Sequence, residues 1–529
     1  MAPLRTWWPW ALVVLIVLGA AAIRLRLLDV PLDRDEGEYA YIGRLILDGV
    51  PPYERAYNMK MPGIYVLYAA AFAAFGATTA AVHLALLVAN ALATMLVFVL
   101  ARRWFAAPGA VGAAAIFAVA SLNPELHGLG GYAEPFVLLA ALAGAIALLA
   151  AVESGRALAL AVAGVLFGVG FVIKQSGGFL LAFPLAVLAV ELARGRLSRS
   201  RAVRDAALVV AGALLPFAFV CLWLAAAGTF GAFWFWTFRY AAQYATLQSA
   251  AAALRMFGST VGYALPAAWP VLLLALAGLV APARDIGDRR ARGLLALLLA
   301  SSFIAASAGL YFRQQYFLLL LPACALLAAR GAFAVARLVP GAGASTAAGV
   351  TLIAAVAVWP LVHDATILFR AAPNVVSRAI YGRNPFVESV EIARYIRERS
   401  GPGDRVAVIG SEPQIYFYAG RPAATGYIYM YPLMEPQPYA SAMQRDMIRE
   451  LEAARPTYLV FVNLRASWLA TPASDGTLAR WFDRYWRDFD RVGVADIVSR
   501  DVTRYVWDDA ARDYTPQSAV WLAVFRRKD

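Results

Sequence analysis

Long apolar segments, separated by short polar connections, run through residues 1–363 of this 529-residue chain. We count about eleven such segments of roughly 17 to 22 residues, the length that a helix needs to cross the hydrocarbon layer of a membrane. The chain is 61% hydrophobic and only 15% charged, whereas soluble proteins carry about a quarter charged residues. The sequence therefore predicts a polytopic α-helical membrane protein. The segments lie near residues 9–23, 81–101, 108–125, 134–151, 157–173, 177–193, 206–227, 266–283, 293–310, 315–330 and 346–363.

Basic residues occur in every second connection between these segments, and the positive-inside rule makes those connections cytoplasmic. Much of the net charge of +13 is then an orientation signal, so no nucleic-acid partner is expected. A first external loop, residues 24–80, and the C-terminal region fall on the outer side. The basic connections contain Arg102 and Arg103, Arg156, residues 193–204, residues 283–292, and Arg330 with Arg337.

The region 364–529 differs in composition, because its charge rises and long apolar runs are absent. Residues 387–401 have helical periodicity and a glycine stop. Three short apolar runs, at residues 403–410, 455–463 and 518–527, have the composition of β-strands. We therefore predict a transmembrane domain over residues 1–363 and a small extracytoplasmic α/β domain over residues 364–529.

The first external loop contains the stretch LDRDEGEYAYIGRLILDGVPPYERAYNMKMPGIY, residues 32–65. Its apolar and aromatic side chains recur at helical spacing, which predicts an amphipathic helix over residues 36–48 lying in the membrane interface. A second apolar helix over residues 62–76 is too short to span comfortably. The positions that define the first helix are Tyr39, Ile42, Leu45 and Ile46.

Two interpretations of Asp35 remain open. It stands where a helix N-cap belongs, and Glu38 three residues later completes a capping-box pattern. However, capping a helix does not require a cluster of carboxylates. Here Asp33 and Glu36 add two more carboxylates beside the hydrocarbon. Such a density of charge at a membrane is costly and indicates a functional site.

Other polar residues at the predicted outer surface also have two interpretations. Lys60, in the turn NMKMPG, is either a lysine that extends towards phospholipid headgroups or a phosphate-binding residue. Glu134 begins a span beside Pro135, as a helix N-terminal carboxylate would, and can equally be a site residue. His127 is better interpreted as an interfacial polar residue than as a metal ligand.

Two stretches resemble the membrane glycosyltransferases of the GT-C type. They are RDEGEYAYIGRLILDG, which follows the first span, and YNMKMPGIYVLYAAAFAAFG. The group includes protein O-mannosyltransferases, lipid A aminoarabinose transferases and bacterial homologues of the family 39 and family 83 type. The tail stretch GSEPQIYFYAGRPAATGYIYMYPLMEPQP also resembles bacterial members. The resemblance implies many transmembrane helices with two interfacial helices, and transfer of a sugar from a polyprenyl-phosphate donor to an acceptor on the outer side.

The same resemblance implies roles for individual residues. Asp35 matches the catalytic aspartate and Glu36 its partner, Lys60 matches the lysine that approaches the donor phosphate, and Glu134 is similar to the acidic residue of the next external loop. Two departures from the pattern stand out. Met61-Pro62 follows the lysine where many relatives have two prolines, and YFRQQYF, residues 311–317, lacks the histidine that often precedes Tyr-Phe.

Transfer of a sugar from a phosphate needs a base for the acceptor hydroxyl and positive charge at the departing phosphate. Asp35 is the candidate base, and a single in-line displacement would invert the anomeric carbon. Lys60 is the candidate cation, with Arg313 as a second, since an arginine fork suits phosphate. Further polar side chains are candidates to orient the acceptor or to hold a divalent cation through oxygen ligands: Glu36, Glu38, Tyr39 and Glu134.

The sequence thus predicts a multi-pass glycosyltransferase of the plasma membrane, with its active site and C-terminal domain outside the cell. The acceptor would be an envelope lipid, glycan or protein. The sequence has no GxxxxGK[ST] loop, and GLGG at residues 128–131 lacks the spacing of a nucleotide fingerprint. One alternative is a transporter or flippase for a lipid-linked sugar, in which Lys174 would line the path. Another is an envelope assembly protein.

Overall fold

The computed structural model describes residues 7–528, and the first two thirds of this range are almost entirely helical. Eight helices in the described range are long and apolar enough to cross a membrane, which confirms a polytopic α-helical membrane protein. They coincide with eight of the predicted spans. The predicted count of about eleven is not confirmed, because the segments near 108–125 and 157–173 form helices of only 14 and 17 residues. The segment near 293–310 belongs to a helix that begins with charged residues.

The helices of the membrane part are numbered in chain order. They are α1 Trp8–Arg26, α2 Arg34–Leu47, α3 Pro62–Phe75, α4 Thr79–Ala101, α5 Ala107–Ala120, α6 Ala133–Ser154, α7 Ala157–Ile173, α8 Ala182–Ala193, α9 Arg199–Ala226, α10 Phe230–Trp234, α11 Ala241–Thr246, α12 Ala250–Val280, α13 Ile286–Ala306, α14 Leu321–Ala336 and α15 Ala342–His363. The 3₁₀-helices Gln175–Leu181 and Gln314–Leu320 lead into α8 and α14.

The two short helices predicted over residues 36–48 and 62–76 are confirmed as α2 and α3, and neither is among the candidate spans. They pack closely on each other, because Gly43 of α2 leaves no room for a side chain. A Cβ atom there would lie 2.9 Å from Cβ of Tyr68. The basic connections meet at the other ends of the spans, where Arg330 pairs with Asp288 at 2.8 Å and Arg290 with Glu191 at 3.4 Å.

In its described residues the C-terminal region contains eight further α-helices and one mixed five-stranded sheet of order β1-β2-β5-β3-β4. β1 and β2 are parallel and the other neighbours are antiparallel. The strands are β1 Val406–Ile409, β2 Tyr458–Asn463, β3 Phe489–Ile497, β4 Thr503–Trp507 and β5 Trp521–Arg527. The helices are α16 Pro373–Tyr381, α17 Phe386–Glu398, α18 Gln414–Ala419, α19 Tyr431–Met434, α20 Ala440–Ala454, α21 Arg465–Trp468, α22 Thr477–Tyr485 and α23 Asp509–Arg512.

The three predicted strands are confirmed as β1, β2 and β5, and the predicted helix over residues 387–401 is α17. β3 and β4 were not predicted. β3 has charged residues at its second and third positions and carries a bulge between Arg491 and Gly493, which interrupts its alternating pattern. β4 is a five-residue edge strand and is only half-buried.

The C-terminal region packs directly on α2. Arg34 donates to buried Glu412 at 2.7 Å, and the hydroxyl of Tyr41 accepts a hydrogen bond of 2.8 Å from the backbone N–H of Ala423. At Gly37 a Cβ atom would lie 2.5 Å from Cβ of Gln414 in α18. The absence of a side chain at Gly37 is therefore what allows the two helices to touch.

Candidate active site

Helix α2 is capped by Asp33. Its side chain accepts a hydrogen bond of 2.9 Å from the backbone N–H of Glu36, and its own N–H donates to Glu36 Oε2 at 3.1 Å. The predicted capping box of Asp35 and Glu38 is therefore wrong, because the helix begins two residues earlier than that pattern requires. Asp35 lies in the first turn of α2, and its side chain is free for other contacts.

Lys60 lies between two carboxylates of α2. Its Nζ donates to Asp35 Oδ1 at 2.7 Å and to Glu38 Oε2 at 2.6 Å, and it stands 4.6 Å from the centre of the Tyr39 ring. Only 22% of the Lys60 side chain is exposed. Lys60 is thus an ion-paired residue of the site and not a lysine extended towards lipid headgroups.

The position of Lys60 is fixed from several directions. The hydroxyl of Tyr53 donates to its backbone carbonyl at 2.7 Å, and Nε2 of Gln175 donates to the carbonyl of Met59 at 2.5 Å. Glu38 is held in turn by the hydroxyl of Tyr65 at 2.6 Å. The ammonium group is therefore placed before any ligand arrives, which is the condition for efficient electrostatic stabilisation.

Two further cations approach Asp35 from the ends of spans. Lys174 and Arg313 both have extended backbones, and each immediately precedes a 3₁₀-helix that leads into a span. Lys174 pairs with Glu134 and lies 4.1 Å from the centre of the Tyr316 ring. Arg313 is exposed, and no carboxylate of residues 7–528 lies within ion-pair distance of it. Its guanidinium is available to an anionic ligand.

The charges of these groups follow from their surroundings. Burial alone would raise the pKa of Asp35, but the charge and hydrogen bond of Lys60, followed by Arg313 and Lys174, hold that pKa below its usual value. Burial raises the pKa of Glu38, and the positive charge of Lys60 offsets this effect of burial only in part. Burial opposes the charge of Lys60, yet its two carboxylate partners raise the Lys60 pKa above the usual value. Asp35 is therefore ionised and Lys60 protonated at neutral pH.

Glu36 and Glu134 are both buried, and the side chain of each contacts polar groups of the protein. Glu36 Oε1 accepts a 2.6 Å hydrogen bond from the N–H of Gly131 and lies 3.2 Å from Nε2 of His83. Glu134 pairs with Lys174. Among the described residues, one group of three side chains brings metal-ligating atoms within 4.8 Å of one another, in the 121–132 loop and at the end of α15. Glu36 and Glu134 do not belong to this group.

Tyr429, from the C-terminal region, was not predicted as a site residue. Its hydroxyl donates to Asp35 Oδ1 at 3.3 Å, and its ring centre lies 5.6 Å from Nζ of Lys60. The ring of Tyr431 packs against it at 5.3 Å. The signal was the run of alternating tyrosines in GYIYMYP, residues 426–432, but nothing local to that run shows that it covers α2.

Comparison with known proteins identifies the architecture. Residues 59–223 match a family model described as dolichyl-phosphate-mannose-protein mannosyltransferase. ArnT from Cupriavidus metallidurans bound to undecaprenyl phosphate superposes with a TM-score of 0.58 at 17% sequence identity, over 87% of this chain and 94% of ArnT. This chain has the fold of the GT-C membrane glycosyltransferases. The resemblance seen in the sequence is thereby confirmed.

Two structures of another GT-C protein are also similar to this chain. The Archaeoglobus fulgidus oligosaccharyltransferase in the apo form gives a TM-score of 0.57 at 15% identity, over 98% of this chain and 76% of that one. The archaeal oligosaccharyltransferase AglB from the same organism, in complex with an inhibitory peptide and a dolichol-phosphate, gives 0.52 at 14% identity with the same coverage. No curated protein matches this chain by sequence.

A cavity of about 760 Å³ lies between the span ends and the C-terminal region. Its lining includes Gln314, the neighbour of Arg313 in the chain, and His127. Burial lowers the pKa of His127 to about 4, so the imidazole is neutral. His127 is not one of the three side chains of the metal-ligating group. The other lining residues are Ser259, Tyr263, Ala379, Ile380, Gly382, Arg383, Ser499 and Arg500.

Proposed function

We propose that this protein transfers a sugar from a polyprenyl-phosphate-linked donor to an envelope lipid, glycan or protein on the outer face of the plasma membrane. The observation that carries the proposal is the contact between Asp35 and Lys60, with Arg313 and Lys174 close enough to lower the pKa of Asp35. An ionised carboxylate beside several cations supplies both the base and the phosphate-binding charge that glycosyl transfer from a phosphate requires.

In the proposed reaction Asp35 accepts the proton of the acceptor hydroxyl as its oxygen attacks the anomeric carbon. The bond between that carbon and the phosphate oxygen breaks, and the oxygen keeps the electron pair. Lys60 stabilises the negative charge on the departing polyprenyl phosphate, and Arg313 is available to bind the same group. A single in-line displacement of this kind inverts the anomeric configuration.

The structural relatives support a donor in which the sugar is linked to a polyprenyl phosphate. ArnT was crystallised with undecaprenyl phosphate and AglB with a dolichol-phosphate, both of which are phosphates of long isoprenoid alcohols. The interfacial helices α2 and α3 would bring the site of this chain to the level of such a phosphate. The basic connections at the opposite ends of the spans support an outward-facing site.

The remaining predicted site residues take supporting roles in this proposal. Glu38 and Tyr39 position Lys60 through an ion pair and a ring contact. Glu36 braces α2 against the loop at Gly131, and Glu134 positions Lys174. The cavity beside Arg313 provides room for the acceptor.

The test compares envelope glycans by mass spectrometry in a deletion strain that carries the wild-type protein, Asp35→Asn or Asp33→Asn. We expect the deletion to remove one sugar increment that the wild type restores. Asp35→Asn should reduce the transfer rate by about a hundredfold to ten-thousandfold, the usual contribution of a general base. Asp33→Asn should retain transfer, because asparagine is also a good N-cap.

Protein abundance in the membrane fraction is measured for every strain. Full restoration of the sugar by a normally abundant Asp35→Asn would overturn the proposed mechanism. Loss of the sugar increment together with accumulation of the lipid-linked sugar on the inner leaflet would instead support the flippase alternative.

A further inference from the structure

A second polar cluster lies at the junction between the membrane part and the C-terminal region. It consists of Glu125, in the loop between α5 and α6, and of His363 and Asp364, where α15 ends. Each residue offers one ligand atom, and the three atoms lie within 4.8 Å of one another. The cluster is separate from the residues around Asp35.

Each carboxylate of this cluster has one buried oxygen without a hydrogen-bond partner. Asp364 is 5% exposed, and its Oδ1 lies 2.7 Å from Nδ1 of His363, but its Oδ2 is buried without a hydrogen bond. Oε2 of Glu125 is buried without a partner as well. A buried carboxylate oxygen that accepts no hydrogen bond is costly, and two ionised carboxylates side by side repel each other unless a proton or a metal cation lies between them.

Arg24 and Arg26 donate hydrogen bonds to backbone carbonyls and not to the carboxylates of the cluster. Arg24 donates to the backbone carbonyls of Ser121 and Gly128 at 2.8 and 3.0 Å, which fixes the loop that carries Glu125. Arg26 donates to three carbonyls of the segment after Asp364, including that of Leu368 at 2.9 Å. Apart from His363, no basic side chain of residues 7–528 pairs with either carboxylate. The arginines fix the positions of the cluster without neutralising it.

We propose that Glu125, His363 and Asp364 bind a divalent transition-metal cation that joins the 121–132 loop to the start of the C-terminal region. An imidazole together with two carboxylates is a ligand set that suits Zn²⁺ or Mn²⁺. The cation would satisfy both unpartnered oxygens, and His363, whose side chain is 31% exposed, leaves a side from which metal and water can enter.

Such a cation would shape the cavity beside the candidate active site. The 121–132 loop also carries His127, which lines the cavity, and Tyr132, which bonds to Asp33 at the cap of α2. Tyr263, another lining residue, lies close to Glu125 and Asp364. The cation therefore acts as a structural clamp, and its binding does not depend on the transferase activity proposed above.

The experiment uses the full chain in detergent, with any affinity tag removed and metal stripped by a chelator. Equilibrium dialysis against Zn²⁺ or Mn²⁺, read by mass spectrometry of the metal, is compared for the wild type, Glu125→Gln, Asp364→Asn and His363→Gln. The matched control is Asp509→Asn, a carboxylate that is 90% exposed in its side chain. We expect one equivalent in the wild type and the control, and affinity lower by about tenfold or more in the three variants.

Thermal unfolding gives a second measurement, since a metal that binds only the folded state raises the midpoint. The rise should occur in the wild type and the control and be absent in the variants. His363→Gln keeps the test valid if a buried variant does not fold, because its ring is partly exposed. Absence of wild-type binding, equal binding by all variants, or binding of Mg²⁺ and Ca²⁺ alone would overturn the proposal.

Discussion

Lys60 Nζ lies 2.7 Å from Asp35 Oδ1, although 25 residues separate the two in the chain. The contact joins the first turn of α2 to the loop before α3, and it keeps the carboxylate ionised and the ammonium in place. A donor phosphate that binds Lys60 would compete with Asp35 for the same cation. Arrival of the donor would thus release the carboxylate to accept a proton from the acceptor.

Lys60→Met should move the acidic limb of the pH–rate profile to higher pH. In the wild type the pKa of Asp35 is depressed by Lys60, so the base stays ionised until the pH falls through that low value. Without the lysine, burial raises the pKa, and the base becomes protonated at a higher pH. The measurement is kcat/KM for sugar transfer as a function of pH, which reports ionisation in the free enzyme.

Lys60→Arg is the control for this prediction, because it keeps a positive charge and should keep the acidic limb near its wild-type position. An acidic limb that stays unchanged in Lys60→Met would contradict the prediction and show that Asp35 is not the group that titrates.

Tyr429→Phe should lower kcat with little change in thermal stability. The substitution keeps the ring near Lys60 but removes the 3.3 Å hydrogen bond to Asp35. Hydrogen bonds to charged groups contribute about 1.5 to 3 kcal/mol, and this long one belongs at the lower end, so we expect a decrease of roughly tenfold. Single-turnover transfer by the purified enzyme measures it.

Tyr431→Phe is the matched control in the same segment, since its hydroxyl donates to the backbone carbonyl of Ala466 and not to Asp35. Equal losses of kcat in the two variants would show that the segment acts only through its packing.

Gly37→Ala should separate the C-terminal region from α2. The added Cβ would lie within 2.8 Å of three atoms of Gln414, two of them in the backbone, so neither helix can accept it without moving. Overpacking of this kind costs about 1 to 3 kcal/mol. Limited proteolysis of the C-terminal region should accelerate and transfer should fall. Gly19→Ala, a helical position with nothing within 4 Å of the added atom, should change neither.

Glu412→Gln should destabilise the same interface. Glu412 is fully buried and pairs with Arg34, so removing its charge leaves a largely buried guanidinium without a counter-charge. Breaking one side of a buried pair costs about 3 to 5 kcal/mol, and the midpoint of thermal unfolding should fall clearly. Glu391→Gln, which breaks an exposed pair with Arg394, should cost at most about 1 kcal/mol. Similar midpoints for the two variants would contradict the role assigned to Glu412.

The sequence was sufficient to predict those helices and strands that have a clear pattern of apolar residues. The apolar segments predicted a polytopic membrane protein, the spacing of Tyr39, Ile42 and Leu45 predicted α2, and short apolar runs predicted β1, β2 and β5. Helical and strand periodicity depend on residues within a few positions of one another, so a sequence displays them directly. The division of the chain at residue 363 stays a prediction.

The tertiary structure decided which of several chemically similar residues caps a helix and which contacts the candidate site. Asp33 and Asp35 offer the same carboxylate two positions apart, and only the start of α2 shows that Asp33 is the cap. Tyr429 reaches Asp35 across 394 residues of sequence, and Glu125, in the loop between α5 and α6, meets Asp364 at the end of α15. Ion pairs and hydrogen bonds depend on distance in space, which long-range packing sets and local periodicity does not. The sequence by itself therefore determined the kind of protein and the elements around the site, and the fold determined which charges meet there.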